Sequence, residues 1–224
     1  MTDTIEPQYE RLVKLAQSSG RFELGLMIND SFVHDPKRLT FTFSRYKFVA
    51  KMLEGVDRAL EIGCGDGFAS GIVAQTTKNL ILTDFDPVFI RETIKATEIR
   101  NNIEVKKHNF VEESLPENFD AIYALDVLEH INKRDEIKFL RNIVGSLSRS
   151  GVCIIGMPSL ESQKYASDIS IAGHVNCKSG LELKIFMSNF FENTFLFSMN
   201  DELIHTGFSP MAQYVIVLAV TPKK

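Results

Sequence analysis

The sequence predicts one α/β domain with helices on both faces of a mostly parallel sheet, and three observations predict it. An apolar run, Arg58 to Ile62, passes directly into three alternate glycines, Gly63, Gly65 and Gly67, and then into residues that can start a helix. A second apolar run, Asn79 to Asp84, ends on an acid 21 positions after Gly63 (84 − 63). Strand-like and helix-like stretches then alternate as far as Val152–Met157. Strands joined through helices cross over right-handedly and lie parallel, so this alternation gives a parallel sheet. A chain of 224 residues fits one such domain with a modest cap.

The glycine spacing narrows what the first loop holds. A dinucleotide fingerprint places its third glycine three residues after the second, where this chain has Phe68, and no Gly-Lys-Ser/Thr follows to make a phosphate-cradling loop. What remains, Glu61-x-Gly63-x-Gly65-x-Gly67 at the end of a first strand, resembles the cofactor loop of class I S-adenosylmethionine-dependent methyltransferases. The resemblance implies a Rossmann-like three-layer sandwich, with a seven-stranded, mostly parallel sheet whose antiparallel seventh strand lies beside the fifth. It also implies that Glu61, Gly63, Cys64 and Gly65 pack against the methionine part of S-adenosylmethionine, with S-adenosylhomocysteine as product. Asp84-Phe85-Asp86-Pro87 looks like the family's second motif, in which Asp84 holds the ribose and Phe85 packs on the adenine. The offset of about 20 residues independently suits a carboxylate facing a ribose.

The elements follow in order. Tyr9, Leu12, Val13 and Ala16 recur at helical spacing between Glu6 and Ser18. A looser segment through Asp30, His34, Asp35 and Pro36 leads to a second helix, carrying Phe41, Tyr46, Phe48, Val49, Met52 and Leu53 and ended by Gly55. In the family such N-terminal helices, here residues 1–55, lie over the cofactor, which makes Arg45 a candidate for its carboxylate. Phe68–Gln75 reads as a short helix, and Asp86 caps another that runs from Pro87 to about Arg100. Ile103–Asn109 is a third strand; the resemblance places Asn109, where Asp is common, at the adenine amino group and Phe110 beside the ring. Ala121–Leu125 is the fourth strand. Leu125 and Asp126 at its end are further cofactor candidates, and Asp126–Ile131 is expected to start the next helix, continued by Ile137, Leu140, Ile143, Val144 and Leu147.

Pro158 ends the fifth strand. Residues 158–179 show no regular pattern and read as a substrate-facing loop. A helix over Gly180–Asn189 precedes a sixth strand, Phe191–Ser198, and a seventh, Ala212–Val220. If the sixth runs parallel to the fifth, its connection to the seventh also sits on the active edge and brings His205, Phe208 and Met211 near the site. His130, His174 and His205 are therefore the candidate catalytic bases.

Composition excludes several classes. A net charge of −4 gives no general attraction to nucleic acid or anionic lipid, and three dispersed cysteines make neither a disulfide framework nor a zinc knuckle. Nothing in Met1–Glu6 resembles an export signal and no run reaches membrane-spanning length, so a cytoplasmic protein is expected, a homodimer being possible. Leu125-Asp-Val-Leu-Glu-His-Ile is similar to small-molecule O-methyltransferases of the ubiquinone-biosynthesis type. This suggests methyl transfer to a small polar metabolite or saccharide, to oxygen. The alternatives are a protein that binds the cofactor without turnover, and a metal-dependent 2′-O-methyltransferase of RNA ends. In the last, the resemblance implies that Asp126, Glu129, His130 and His174 hold a divalent metal, although none is expected under the main reading.

Overall fold

A computed structural model describes residues 4–224; the start of the N-terminal hexapeptide discussed above, residues 1–3, lies outside the described residues. The chain runs α1 (Glu10–Ser19), α2 (Leu26–His34), α3 (Lys37–Met52), β1 (Arg58–Ile62), α4 (Ser70–Val73), β2 (Asn79–Asp84), α5 (Pro87–Thr97), β3 (Ile103–Lys107) and β4 (Phe119–Leu125). It continues through α6 (Glu136–Ser146), β5 (Leu147–Pro158), α7 (Asp168–Gly173), α8 (Gly180–Ser188), β6 (Phe191–Asn200), β7 (Leu203–His205) and β8 (Tyr214–Pro222). One sheet has the order β3-β2-β1-β4-β5-β8-β6-β7. Strands β1 to β5 are parallel, and β8 runs antiparallel to both β5 and β6.

The strands read as apolar runs because both faces of the sheet are covered. On β4 the pleat sends Ile122 and Ala124 into the core under α6 and α8, and Ala121, Tyr123 and Leu125 into the core under α3 and α4. The sheet is therefore an α/β sandwich, with one strand more than the seven expected. The extra strand, β7, is three residues hairpinned onto β6, too short to leave a periodic signal.

Three other expectations are corrected. Residues 158–179 are not an unstructured loop: they form a 3₁₀ segment, Leu160–Tyr165, and α7. Each starts on a serine cap, Ser159 Oγ accepting from Ser162 N at 3.1 Å and Ser167 Oγ from Ser170 N at 3.2 Å. The stretch after Asp126 is a single 3₁₀ turn, Leu128–His130, with α6 starting only at Glu136, while Leu147 belongs to β5. Finally, the segment around Asp30 and His34 is helical, as α2.

Glu61 is wholly buried on β1. Its two oxygens accept from Tyr46 Oη at 2.6 Å and Tyr123 Oη at 2.7 Å, tying α3 to the sheet. Burial raises its carboxyl above the ordinary range, against the hydrogen bonds that pull it back. Tyr46→Phe leaves one oxygen without a donor and is expected to lower unfolding stability by about 1.5–3 kcal/mol. An unchanged denaturant midpoint would mean that the hydroxyl contributes nothing to the attachment of α3.

Candidate active site

The site lies beyond the carboxyl ends of β1, β2 and β4, the edge at which open α/β sheets bind ligands. Gly63 and Gly65 have φ of +71° and +55°. A Cβ on Gly63 would stand 2.5 Å from Val127 Cγ2, and one on Gly65 would stand 2.7 Å from Met27 Sδ, so side chains are excluded there by space as well as by backbone. The loop is pinned from β2 and α5. Gly63 N and Cys64 N both donate to Thr83 O (2.8 and 3.0 Å), Gly65 N donates to Asp84 Oδ2 (3.2 Å), and Thr93 Oγ1 donates to Gly65 O (2.7 Å).

A cavity of about 500 Å³ opens beside this loop. Asp84 sits in its wall, 7% exposed, with Oδ1 accepting from Asp86 N at 2.9 Å. Phe85 (66% exposed), Phe89 and the buried Phe110 line the neighbouring part, a set able to hold a flat ring beside a carboxylate that accepts from a sugar. Asn109 lines it too, but its Oδ1 already accepts from Val111 N at 3.0 Å and its Nδ2 donates to Glu112 at 2.9 Å. The cradle closed to any Cβ, the acid and the aromatic wall fit a nucleoside cofactor. Of the expected cofactor residues, Gly63, Gly65, Asp84, Phe85, Asn109, Phe110 and Asp126 line this cavity, and Arg45, Glu61, Cys64 and Leu125 do not. Glu61 is held by the two tyrosines. Leu125 is packed in the core under α3, and Cys64 is buried against Thr93 with its thiol pushed far up by burial.

Arg45 lies behind the cavity wall. Its guanidinium stacks 3.8 Å over the Tyr214 ring and donates from Nη1 to both oxygens of Asp126, at 2.8 and 3.1 Å. Asp126 has a left-handed backbone, φ +57°, a conformation costing a non-glycine residue about 1–3 kcal/mol. Its N–H bond to Gly156 O (2.9 Å) and the Arg45 pair hold it there, facing the cavity.

The 3₁₀ turn after β4 presents Glu129 and His130. His130 lines the cavity, and its ring lies 5.2 Å from that of His174, centroid to centroid. Each imidazole has Nδ1 against a carbonyl oxygen, Gly173 O for His130 (3.0 Å) and Gln163 Oε1 for His174 (2.8 Å). Nδ1 must be the donor in each case, which leaves both Nε2 lone pairs free. Burial, then the neighbouring His130, lowers the His174 pKa, so this ring is unprotonated at neutral pH. Glu129 is fully buried, and neither carboxylate oxygen has a hydrogen-bond partner among the described residues. Burial and the nearby Asp126 raise its pKa well above the carboxylate range. Ligand atoms of Glu129, His130 and His174 all lie within 4.8 Å of one another, a nitrogen–nitrogen–oxygen set that suits zinc or manganese better than magnesium. Asp126, the fourth candidate, is paired with Arg45 instead.

His205 is not brought to the site. It lies on β7 at the outer edge of the sheet, where Nδ1 accepts from Gly207 N (2.9 Å) and Nε2 bonds Asn200 Oδ1 (3.1 Å). Phe208 and Met211 are exposed and line no part of the cavity. No described side chain of α1 lines it either; among the described residues the N-terminal element that reaches the glycine loop is α2, through Met27. Sequence reasoning missed Met27 and the acid that anchors it. Asp66 Oδ2 accepts from Ile28 N at 2.9 Å and so fastens α2 over the loop; its place between Gly65 and Gly67 was the available signal.

A family model described as "Methyltransferase domain" matches residues 60–153, which span β1 through the middle of β5. A "Probable S-adenosylmethionine-dependent methyltransferase" of Mycobacterium tuberculosis (strain ATCC 25618 / H37Rv) is 28% identical over 101 residues, 45% of this chain and 35% of the relative. The chain thus matches only about a third of the length of that relative. Among solved structures, the N-methyltransferase NodS from Bradyrhizobium japonicum WM9 in complex with S-adenosyl-L-homocysteine covers 97% of this chain and 100% of its own, at 16% identity and TM-score 0.66. The methyltransferase domain of bacterial CtHen1-C covers 82% and 100%, at 12% identity and TM-score 0.66. Both share the fold. Among the described residues no helix is long and apolar enough to cross a membrane.

Proposed function

We propose that the chain is a class I S-adenosylmethionine-dependent methyltransferase, a reading supported by the matched segment 60–153 and the shared fold, and that it transfers a methyl group to an oxygen of a small polar metabolite or saccharide. The observation that carries this reading is the cavity itself, with Asp84 and the glycine loop at one part and the free Nε2 of His130 at another. Bound there, the cofactor supplies an electrophilic methyl group on a sulfonium. Asp84 would accept from its ribose, Phe85 and Phe110 would flank its adenine, and Gly63 and Gly65 would let it lie on the main chain. His130 takes the proton of an acceptor hydroxyl, and His174, neutral beside it, is the second base. The oxygen target and the size of the acceptor follow from the resemblance of residues 125–131 to small-molecule O-methyltransferases and from the net charge of −4, which does not favour a polyanion.

The convergence of Glu129, His130 and His174 favours a second reading, in which these residues hold a divalent ion that lowers the acceptor hydroxyl's pKa as a Lewis acid. One assay separates the readings: methyl-labelled cofactor is incubated with a panel of hydroxylated metabolites and sugars, before and after exhaustive chelation. Activity abolished by EDTA and restored by manganese or zinc supports the ion. Full activity after chelation leaves the histidines as simple bases. Tight S-adenosylhomocysteine binding with no transfer to any acceptor supports the binding-protein alternative instead.

A further inference from the structure

Residues 174–179 lie between the end of α7 and the start of α8; His174 N caps α7 on Ser170 O (2.8 Å) and Lys178 O accepts from Leu160 N (3.0 Å) in a parallel bridge to Ser159, but neither of these backbone bonds orients the His174 ring. His174 is in this segment, yet its ring sits against His130 and within ligand distance of Glu129. A buried polar group two residues on meets the same stretch. Lys178 Nζ donates to Glu136 Oε2 at 2.7 Å and to Asn176 Oδ1 at 3.1 Å, while Asn176 Nδ2 donates to the same Glu136 oxygen at 2.8 Å. All three residues are more than nine-tenths buried, and the Lys178 ammonium also lies 4.9 Å from the Phe186 ring centroid. Asn176 N donates to Glu129 O at 3.0 Å, joining the segment directly to the 3₁₀ turn that carries Glu129 and His130.

We propose that Glu136, Asn176 and Lys178 are positioning residues, a clamp whose role is to set His174 against His130 and Glu129. Attachment alone does not require such a group, since apolar side chains of similar volume often stabilise a buried site as well as or better than an ion pair. What a lysine, a carboxylate and an amide add is direction. Glu136 stands at the first turn of α6, and its one oxygen takes both donors, so the segment is fixed in one register against that helix. A one-residue slip between Asn176 and Lys178 would break all three bonds and carry His174 away. None of the three clamp residues lines the cavity, so the clamp reaches the chemistry indirectly, through His174 and through the Asn176 N bond to Glu129 O.

The inference rests on His174 being a site residue, and its test keeps the two ideas apart. The double substitution Glu136→Met/Lys178→Met removes both charges together, so neither is left buried alone. S-adenosylhomocysteine affinity should match wild type within twofold. With ¹³C-labelled histidine, the NOE between the ring protons of His130 and His174 should be present in wild type and lost in the double variant. Manganese affinity, measured by equilibrium dialysis, should fall about 10- to 100-fold, the range for partners that orient metal ligands. Asn176→Ala, which keeps the ion pair, should show the same losses and serves if the double variant does not fold. A folded variant that keeps the ring contact overturns the clamp, whatever its thermal stability. If wild type binds no manganese, the ion reading falls and the ring contact alone decides the clamp.

Discussion

Asp84→Ala is expected to weaken S-adenosylhomocysteine binding about tenfold to a hundredfold, the equivalent of roughly 1.5–3 kcal/mol for lost charge-assisted hydrogen bonds. The geometry adds a second reason. Asp84 Oδ2 accepts from Gly65 N and Oδ1 from Asp86 N, so the substitution also releases the glycine loop from β2 and the cap of α5 from its support. Asp84→Asn keeps one acceptor and should lose less. Calorimetry on the three proteins decides the matter, and equal affinities would remove Asp84 from the cofactor site.

The second large effect concerns the ion. If Glu129, His130 and His174 bind manganese or zinc, a free concentration a hundred times the dissociation constant should stabilise the protein by about 2.7 kcal/mol, and Glu129→Gln should abolish most of that gain. Without the ion the same variant should be no less stable than wild type, because the Glu129 oxygens have no hydrogen bonds among the described residues to lose and an amide avoids the charged form that burial already disfavours at this site. Stabilisation of wild type and variant alike by the metal would place the ion elsewhere. An ordinary structural acid would behave differently again, losing stability on substitution with or without metal.

The parts of the fold that could be read from sequence are those where one local rule sufficed. β1, the glycine loop and β2 were readable because positive φ and close approach demand glycine, and because a strand buried on both faces must be apolar throughout. α2 was missed because the side chain that bonds its first turn, Asp66, is far away in sequence. Its apolar residues Leu26, Met27, Phe32 and Val33 are exposed, and it is fastened by Asp66, so no inward stripe appears at helical spacing. α7 was missed for a related reason: Asp168-Ile-Ser-Ile-Ala-Gly alternates like a strand, and only the Ser167 cap marks a helix. At the site, Asp84 and His130 could be found from their positions at strand ends. The pairing of His130 with His174 could be suggested only by analogy, since a buried lysine clamp determines it. His205 failed because β6 does run parallel to β5, but β8 lies between them, and β7, paired with β6, falls at the far edge.

The placement of β8 also constrains the order in which the sheet can assemble. β6 and β7 precede β8 in the chain, yet their one link to the rest of the sheet is through β8, which pairs with β5 on one side and β6 on the other. Until residues 214–222 are in place, β5 is an open parallel edge and the β6–β7 hairpin is a detached ribbon, which by itself is at best marginally stable. Closing the gap is a non-local step, and such steps are slow because loop entropy is lost before the contacts form. The amides of β5, β6 and β8 should consequently exchange with solvent as one cooperative unit, separate from that of β1 to β4.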